Sequence, residues 1–120
     1  MSSIKSYKDL LVWQKSILLV KEVYQLTELF PADEKFGIIS QIRRAVISIP
    51  SNIAEGWGRM SRKNYIQFLR IARGSLFELE TQIIISKELK YYTGYENIES
   101  LIVEVSKMLN SLIRKLEEKN

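Results

Sequence analysis

The chain has 120 residues and a net charge of +4, with neither cysteine nor histidine. That removes thiolate nucleophiles, imidazole acid–base chemistry, disulfides and zinc sites built on either side chain. Such a length makes one domain that buries roughly two-thirds of the surface its unfolded chain would expose, so no staple of disulfide or metal is required.

Four helical segments follow one another, over about residues 8–30, 33–57, 61–91 and 95–117. In the first, Leu10, Trp13, Ile17, Val20 and Tyr24 recur at steps of three and four, and Pro31 sets the end at Phe30 or just before it. Asp33 is placed to cap the second helix, with Glu34 beside it at the positive end. There Ile38, Ile42, Ala45, Ile49, Ile53 and Trp57 form an apolar stripe at helical period. Pro50 interrupts it. In a plain helix a proline removes one backbone hydrogen bond and pushes its ring toward the carbonyl four residues earlier, at a cost on the order of 3 kcal/mol. A kink is expected, with Ser48 and Ser51 placed to satisfy freed carbonyls.

Gly56 and Gly58 bracket Trp57 and suit the left-handed turn that closes a helix. Ser61 caps the third helix, where Tyr65, Leu69, Ala72, Leu76, Leu79 and Ile83 keep the rhythm as far as Tyr91 or Tyr92. Thr93, Gly94 and Tyr95 make the next break, and Ile98, Leu101, Val105, Leu109, Leu112 and Leu116 line the last helix. Four amphipathic helices with short connections give an all-α fold, an antiparallel up-down-up-down four-helix bundle kinked at Pro50, as one domain over residues 1–120.

A polar stripe, Gln41, Arg44, Ser48, Asn52, Glu55 and Arg59, runs along another face of the second helix. Glu55 and Arg59 have the spacing of an exposed pair, worth about 0.3–0.5 kcal/mol. If partly buried, Asn52 and Glu55 tie the second helix to Arg70 or Arg73 on the third, a lock that sets register. Gly74 costs about 1 kcal/mol in a helix, which the close approach of another helix offsets, and Glu78 beyond it is placed to pair with an arginine of the second helix. One carboxylate with no histidine, partner acid or metal cluster lacks a mechanism, so the reading is a non-enzyme with no catalytic residue, cofactor or metal.

Between residues 41 and 73, Arg43, Arg44, Arg59, Arg62, Lys63, Arg70 and Arg73 face Glu55 alone, a net +6 that leaves −2 for the rest. Such asymmetry suits an anionic partner, RNA or DNA, and Trp57 and Tyr65 among the cations can stack on bases. No helix-turn-helix, zinc-finger, RNA-recognition or P-loop pattern is present, so contact is expected mainly at phosphates. A protein partner meeting the arginines with its own acidic surface is the alternative.

Leu11, Leu18, Leu19, Val23, Leu26 and Leu29 add a second apolar face to the first helix, and Ile83, Ile84 and Ile85 do so on the third. Helices apolar on more than one face bury the second face in another subunit, so a homo-oligomer is expected. No run approaches the length of a membrane span and the first ten residues lack the apolar stretch of a signal peptide, which makes a cytoplasmic protein the expectation.

FGIISQIRRAVISIPSNIAEGWGR, followed by YIQFLRIARGSLFELETQI, resembles the signature of the four-helix-bundle proteins encoded in intervening sequences of bacterial 23S rRNA genes, also labelled S23 ribosomal proteins. YKDLLVWQKSILLVKEVYQLTELFP is similar to the first helix of that family, and the likeness covers about residues 7–116. The accessory variability protein of diversity-generating retroelements is related to the same group. That relation implies a homopentameric ring with a basic surface that binds nucleic acid and a reverse transcriptase. By position the family pattern matches Gln41, Arg43, Arg44, Ser48, Pro50, Asn52, Glu55, Gly56 and Arg59, then Ala72, Gly74, Ser75 and Glu78, none of them an established catalytic residue.

Overall fold

The structure, a computed structural model, describes residues 4–119. Four helices carry it: α1 (Leu11–Thr27), α2 (Ile38–Trp57), α3 (Arg62–Glu88) and α4 (Glu96–Glu117). Their alternation is read from contacts at matching levels. Tyr24 and Thr27 of α1 meet Arg43 of α2, Ser48 of α2 meets Ser75 of α3, and Arg73 of α3 meets Asn110 of α4. Lys15 of α1 meets Glu104 of α4, which closes the cycle. Each neighbouring pair is therefore antiparallel, and the bundle measures 48 × 24 × 21 Å.

The core follows the stripes read from the sequence in α2, α3 and α4 but not in α1, where Leu10, Trp13, Ile17, Val20 and Tyr24 lie at its margin and Val12, Leu19, Val23 and Leu26, three of them assigned above to an outer face, point inward. Leu19, Val23 and Leu26, Ile42, Ile49 and Ile53, Leu69, Leu76 and Leu79, and Val105 and Leu109 are fully enclosed. Each such side chain contributes about 1.5–3 kcal/mol from the apolar surface it removes from water.

The helix ends depart from the sequence reading in several places. Before α1 the chain makes a 3₁₀ turn, Tyr7–Asp9, closed by a capping box between Ser6 and Asp9, and Leu10 is extended, so α1 starts at Leu11. Asp33 does not cap α2. It lies in a second 3₁₀ turn, Ala32–Glu34, and α2 begins after Gly37 without a side-chain cap. α2 runs through the buried Pro50 as one continuous helix, so the proline bends it at most and does not end it. Ser48 does not satisfy the carbonyl freed near Pro50, because its hydroxyl is engaged by Asn52 and Ser75.

Gly58 ends α2 in ordinary right-handed geometry, and the left-handed residue of this turn is Met60, with φ 59°. Ser61 caps α3 as its sequence suggests, accepting the Asn64 N–H at 3.3 Å. α3 stops at Glu88, short of the tyrosines. Lys90 turns the chain with φ 61°, and Tyr91 and Tyr92 pack on Phe30 at ring separations of 5.5 and 6.1 Å. Aromatic packing that plugs the end of the bundle outweighs another turn of helix.

Candidate nucleic-acid interface

The seven cations singled out above do not form one surface. Arg43 is half-buried against α1: its Nε donates to Thr27 Oγ1 at 2.9 Å, its guanidinium donates to the Tyr24 carbonyl at 3.4 Å, and the group lies 4.3 Å over the Tyr24 ring. The Tyr24 carbonyl also accepts from the Glu28 N–H and the Thr27 hydroxyl, and it lies in the last turn of α1, where the partial negative charge of the helix end favours a cation. Arg43 is thereby spent on holding α2 to α1.

Arg70 bonds Glu117 and Arg73 donates to Asn110 Oδ1 at 3.0 Å, both across to α4 rather than to α2. Arg59 pairs with Glu55 at 2.9 Å and lies 4.8 Å over the Phe68 ring. Arg44, Arg62 and Lys63 are exposed and carry no ion pair among the described residues. Arg62 and Lys63 border a shallow hollow with Ile66, Leu116 and Glu117. Tyr65 is not free to stack on a base. Its ring meets Trp57 edge-on at 6.3 Å, its hydroxyl is buried, and that burial pushes its pKa above the usual 10.0.

Of Asn52, Glu55, Gly74 and Glu78, Asn52 alone belongs to the polar contact between α2 and α3, whose other members are Ser48 and Ser75. Ser48 and Ser75 join their hydroxyls at 2.9 Å, and Asn52 Nδ2 donates to the Ser48 carbonyl and hydroxyl at 2.8 and 2.9 Å. Glu55 turns outward to Arg59, and Glu78 is exposed without an ion pair or hydrogen bond among the described residues. At this level the two helices are joined by short hydroxyls rather than by a long charged side chain.

The close approach lies at Gly56 rather than Gly74. A Cβ on Gly56 would stand 2.8 Å from Phe68 Cβ, 3.0 Å from Tyr65 Cδ1 and 3.3 Å from the Tyr65 carbonyl, whereas one on Gly74 meets nothing within 4 Å. Gly56 thus sets how near the C-terminal half of α2 comes to α3.

Folding sorts charge along the long axis. Taking the Ser48–Ser75 contact as the middle, the half built from residues 5–18, 49–74 and 107–119 holds twelve lysines and arginines against four carboxylates, a net +8. The other half, residues 19–48 and 75–106, holds six against ten, a net −4, and the two add to the +4 of the chain. The basic end joins Arg59, Arg62 and Lys63 to Lys5, Lys8, Arg114, Lys115 and Lys119, which are all exposed. Those last five were missed in the sequence. The signal for them was the even number of antiparallel helices, which returns both ends of the fold to the turn between α2 and α3.

Among the described residues no three carboxylates gather closely enough to hold a metal ion, and no helix is long and apolar enough to cross a membrane. What the geometry defines is an all-α, antiparallel four-helix bundle with its positive charge gathered at one end. The chain belongs to the 23S rRNA-intervening sequence protein family, whose model matches residues 8–111. It is similar to a crystal structure described as a protein with unknown function from the S23 ribosomal protein family of Bacteroides thetaiotaomicron VPI-5482. The two are 30% identical with a TM-score of 0.78, over 86% of this chain and 95% of that one. No curated protein matches the chain significantly.

Proposed function

We propose that this protein is a non-enzymatic, self-associating, cytoplasmic nucleic-acid binder that grips phosphates at the basic end of its bundle. The segregation of +8 and −4 between the two halves carries this reading. A local excess of cations on a small end face attracts a polyanion far more strongly than the net charge suggests. Arg59, Arg62 and Lys63 supply the contacts from the α2–α3 turn, and Lys5, Lys8, Arg114, Lys115 and Lys119 extend them across the end. Arg70 and Arg73 add to the field, Arg44 stands apart on the other half, and Arg43 drops out because it is engaged by α1. Assembly into the ring of five that the resemblance implies would repeat the basic end once per copy.

Anisotropy titration of a labelled RNA hairpin and a DNA duplex tests it. Contacts to about four phosphates of a duplex give a slope near −3.6 in log affinity against log salt. Replacing Arg62→Glu and Lys63→Glu together should weaken binding at least about tenfold, while Arg44→Glu changes it less. The reading fails if affinity stays weaker than about 100 µM at low salt, or if the double replacement leaves it unchanged. Failure there with capture of an acidic protein would favour an accessory subunit for a nucleic-acid enzyme, such as a reverse transcriptase.

A further inference from the structure

Two strips of exposed apolar side chains lie on helices that are not neighbours in the bundle, α1 and α3. On α1, Leu11 and Leu18 lie one above the other at helical spacing, and Leu29 follows just past the end of the helix, each at least 41% exposed. On α3, Ile71, Phe77, Ile84 and Ile85 are each at least 44% exposed, and Gly74 lies among them on the side of the helix turned away from the core. A glycine inside a helix is destabilising relative to alanine and is retained where another backbone comes close. Among the described residues nothing beyond its own helical turn comes close to Gly74, since a Cβ there would meet no such atom within 4 Å.

We infer that the neighbour is α1 of a second copy, lying parallel to α3 with Leu18 seated over Gly74. The register follows from the spacings. Leu29, two residues past the end of α1, is as far along the chain beyond Leu18 as Ile85 is beyond Gly74, which brings these two apolar side chains near the same level. Between them Lys21, three residues past Leu18, falls beside Glu78, four residues past Gly74. Both are exposed, and neither has an ion pair or hydrogen bond among the described residues, so the contact joins two free charges of opposite sign. A leucine over a glycine fills the hollow with a knob. Packing α3 on α3 would set one glycine against another and leave the leucines of α1 uncovered.

Since the two strips belong to different helices of one protomer, the contact is heterologous: each copy offers α3 to one neighbour and α1 to the next. The parallel pairing keeps all basic ends on the same side. This inference rests on the self-association reading above and not on the polyanion reading.

Sedimentation velocity at about 100 µM chain tests it, the chain alone being 14.0 kDa. The unaltered protein should sediment as an assembly, and Leu18→Glu and Gly74→Leu should each sediment as monomers with unchanged helical circular dichroism. Mixed in equal amounts, the two variants should form a dimer and nothing larger, because only the intact α1 of one and the intact α3 of the other can meet. In a separate pair, Lys21→Glu or Glu78→Lys alone should weaken association at least about tenfold, and both in one chain should restore it; the charge exchange reads the contact even if Gly74→Leu fails to fold. A monomeric unaltered protein overturns the self-association reading and this contact together. An assembly that either seam variant leaves intact, a mixture that stays monomeric, or a charge exchange without rescue overturns the contact alone.

Discussion

Replacing Gly56 by alanine tests the account of the α2–α3 contact. Helix propensity alone favours the change by about 0.8–1.0 kcal/mol. The new Cβ, however, would lie 2.8 Å from Phe68 Cβ and 3.3 Å from the Tyr65 carbonyl, both close to the backbone and neither able to swing aside. Forcing a methyl group into such a contact costs typically about 1–3 kcal/mol, because the two helices must separate and loosen their neighbours. The difference is a net loss of up to about 2 kcal/mol, centred near 1 kcal/mol or roughly 4 °C in Tm for a domain of this size. Gly74→Ala is the matched control, since its Cβ meets nothing within 4 Å among the described residues beyond its own turn, and in dilute solution it should gain up to about 1 kcal/mol. Urea and thermal melts of the two variants read the comparison directly. A Gly56→Ala variant as stable as the parent, or a Gly74→Ala variant as damaged as Gly56→Ala, would refute the assignment of the close approach.

Arg43→Met should cost about 1–3 kcal/mol in urea denaturation, from the lost bonds to Thr27 and Tyr24 and the lost ring contact, and should leave affinity for a polyanion within about twofold. The buried Gln82 Oε1 has no hydrogen-bond partner among the described residues, so Gln82→Leu should stabilise the fold by about 1 kcal/mol, and a loss of that size would show that the amide is satisfied in solution. Tyr65, Tyr91 and Tyr92 are all held above the usual 10.0, Tyr65 and Tyr92 first by burial and Tyr91 first by donating to Glu34 at 2.6 Å. The fold thus favours the neutral phenols: their contribution is fully present below pH 10 and is lost as pH rises through the folded values. Stability measured across the alkaline range should fall above pH 10, less steeply for Tyr91→Phe, and identical slopes for the two chains would remove Tyr91 from the explanation.

The helices, and the inward faces of α2, α3 and α4, were legible because burial repeats with the period of the helix, as at Ile42, Ile49 and Ile53, whereas α1 is apolar on two faces and periodicity alone chose the wrong one. Helix ends were less so. Asp33 has the chemistry of a cap, yet the chain spends it in a 3₁₀ turn, and Tyr91 leaves a helical pattern to pack on Phe30. Glycines were the least legible, because the value of a missing Cβ depends on what faces it. Gly56 and Gly74 look alike along the chain and differ only once α3 is placed. The candidate site behaved similarly. The arginine excess was visible, but Arg43 could be removed, and Lys5 and Arg114 added, only when topology showed which residues share an end.

The up-down alternation of the helices also governs what kind of field that end can present. Each end carries two helix N-termini and two C-termini, so the backbone dipoles oppose one another and leave little net polarity along the axis. The difference between the two ends is then written almost wholly in exposed side chains. Such a field can be strengthened, weakened or reversed one substitution at a time without disturbing the packed interior, so one scaffold can be retuned for different anions while its core stays the same.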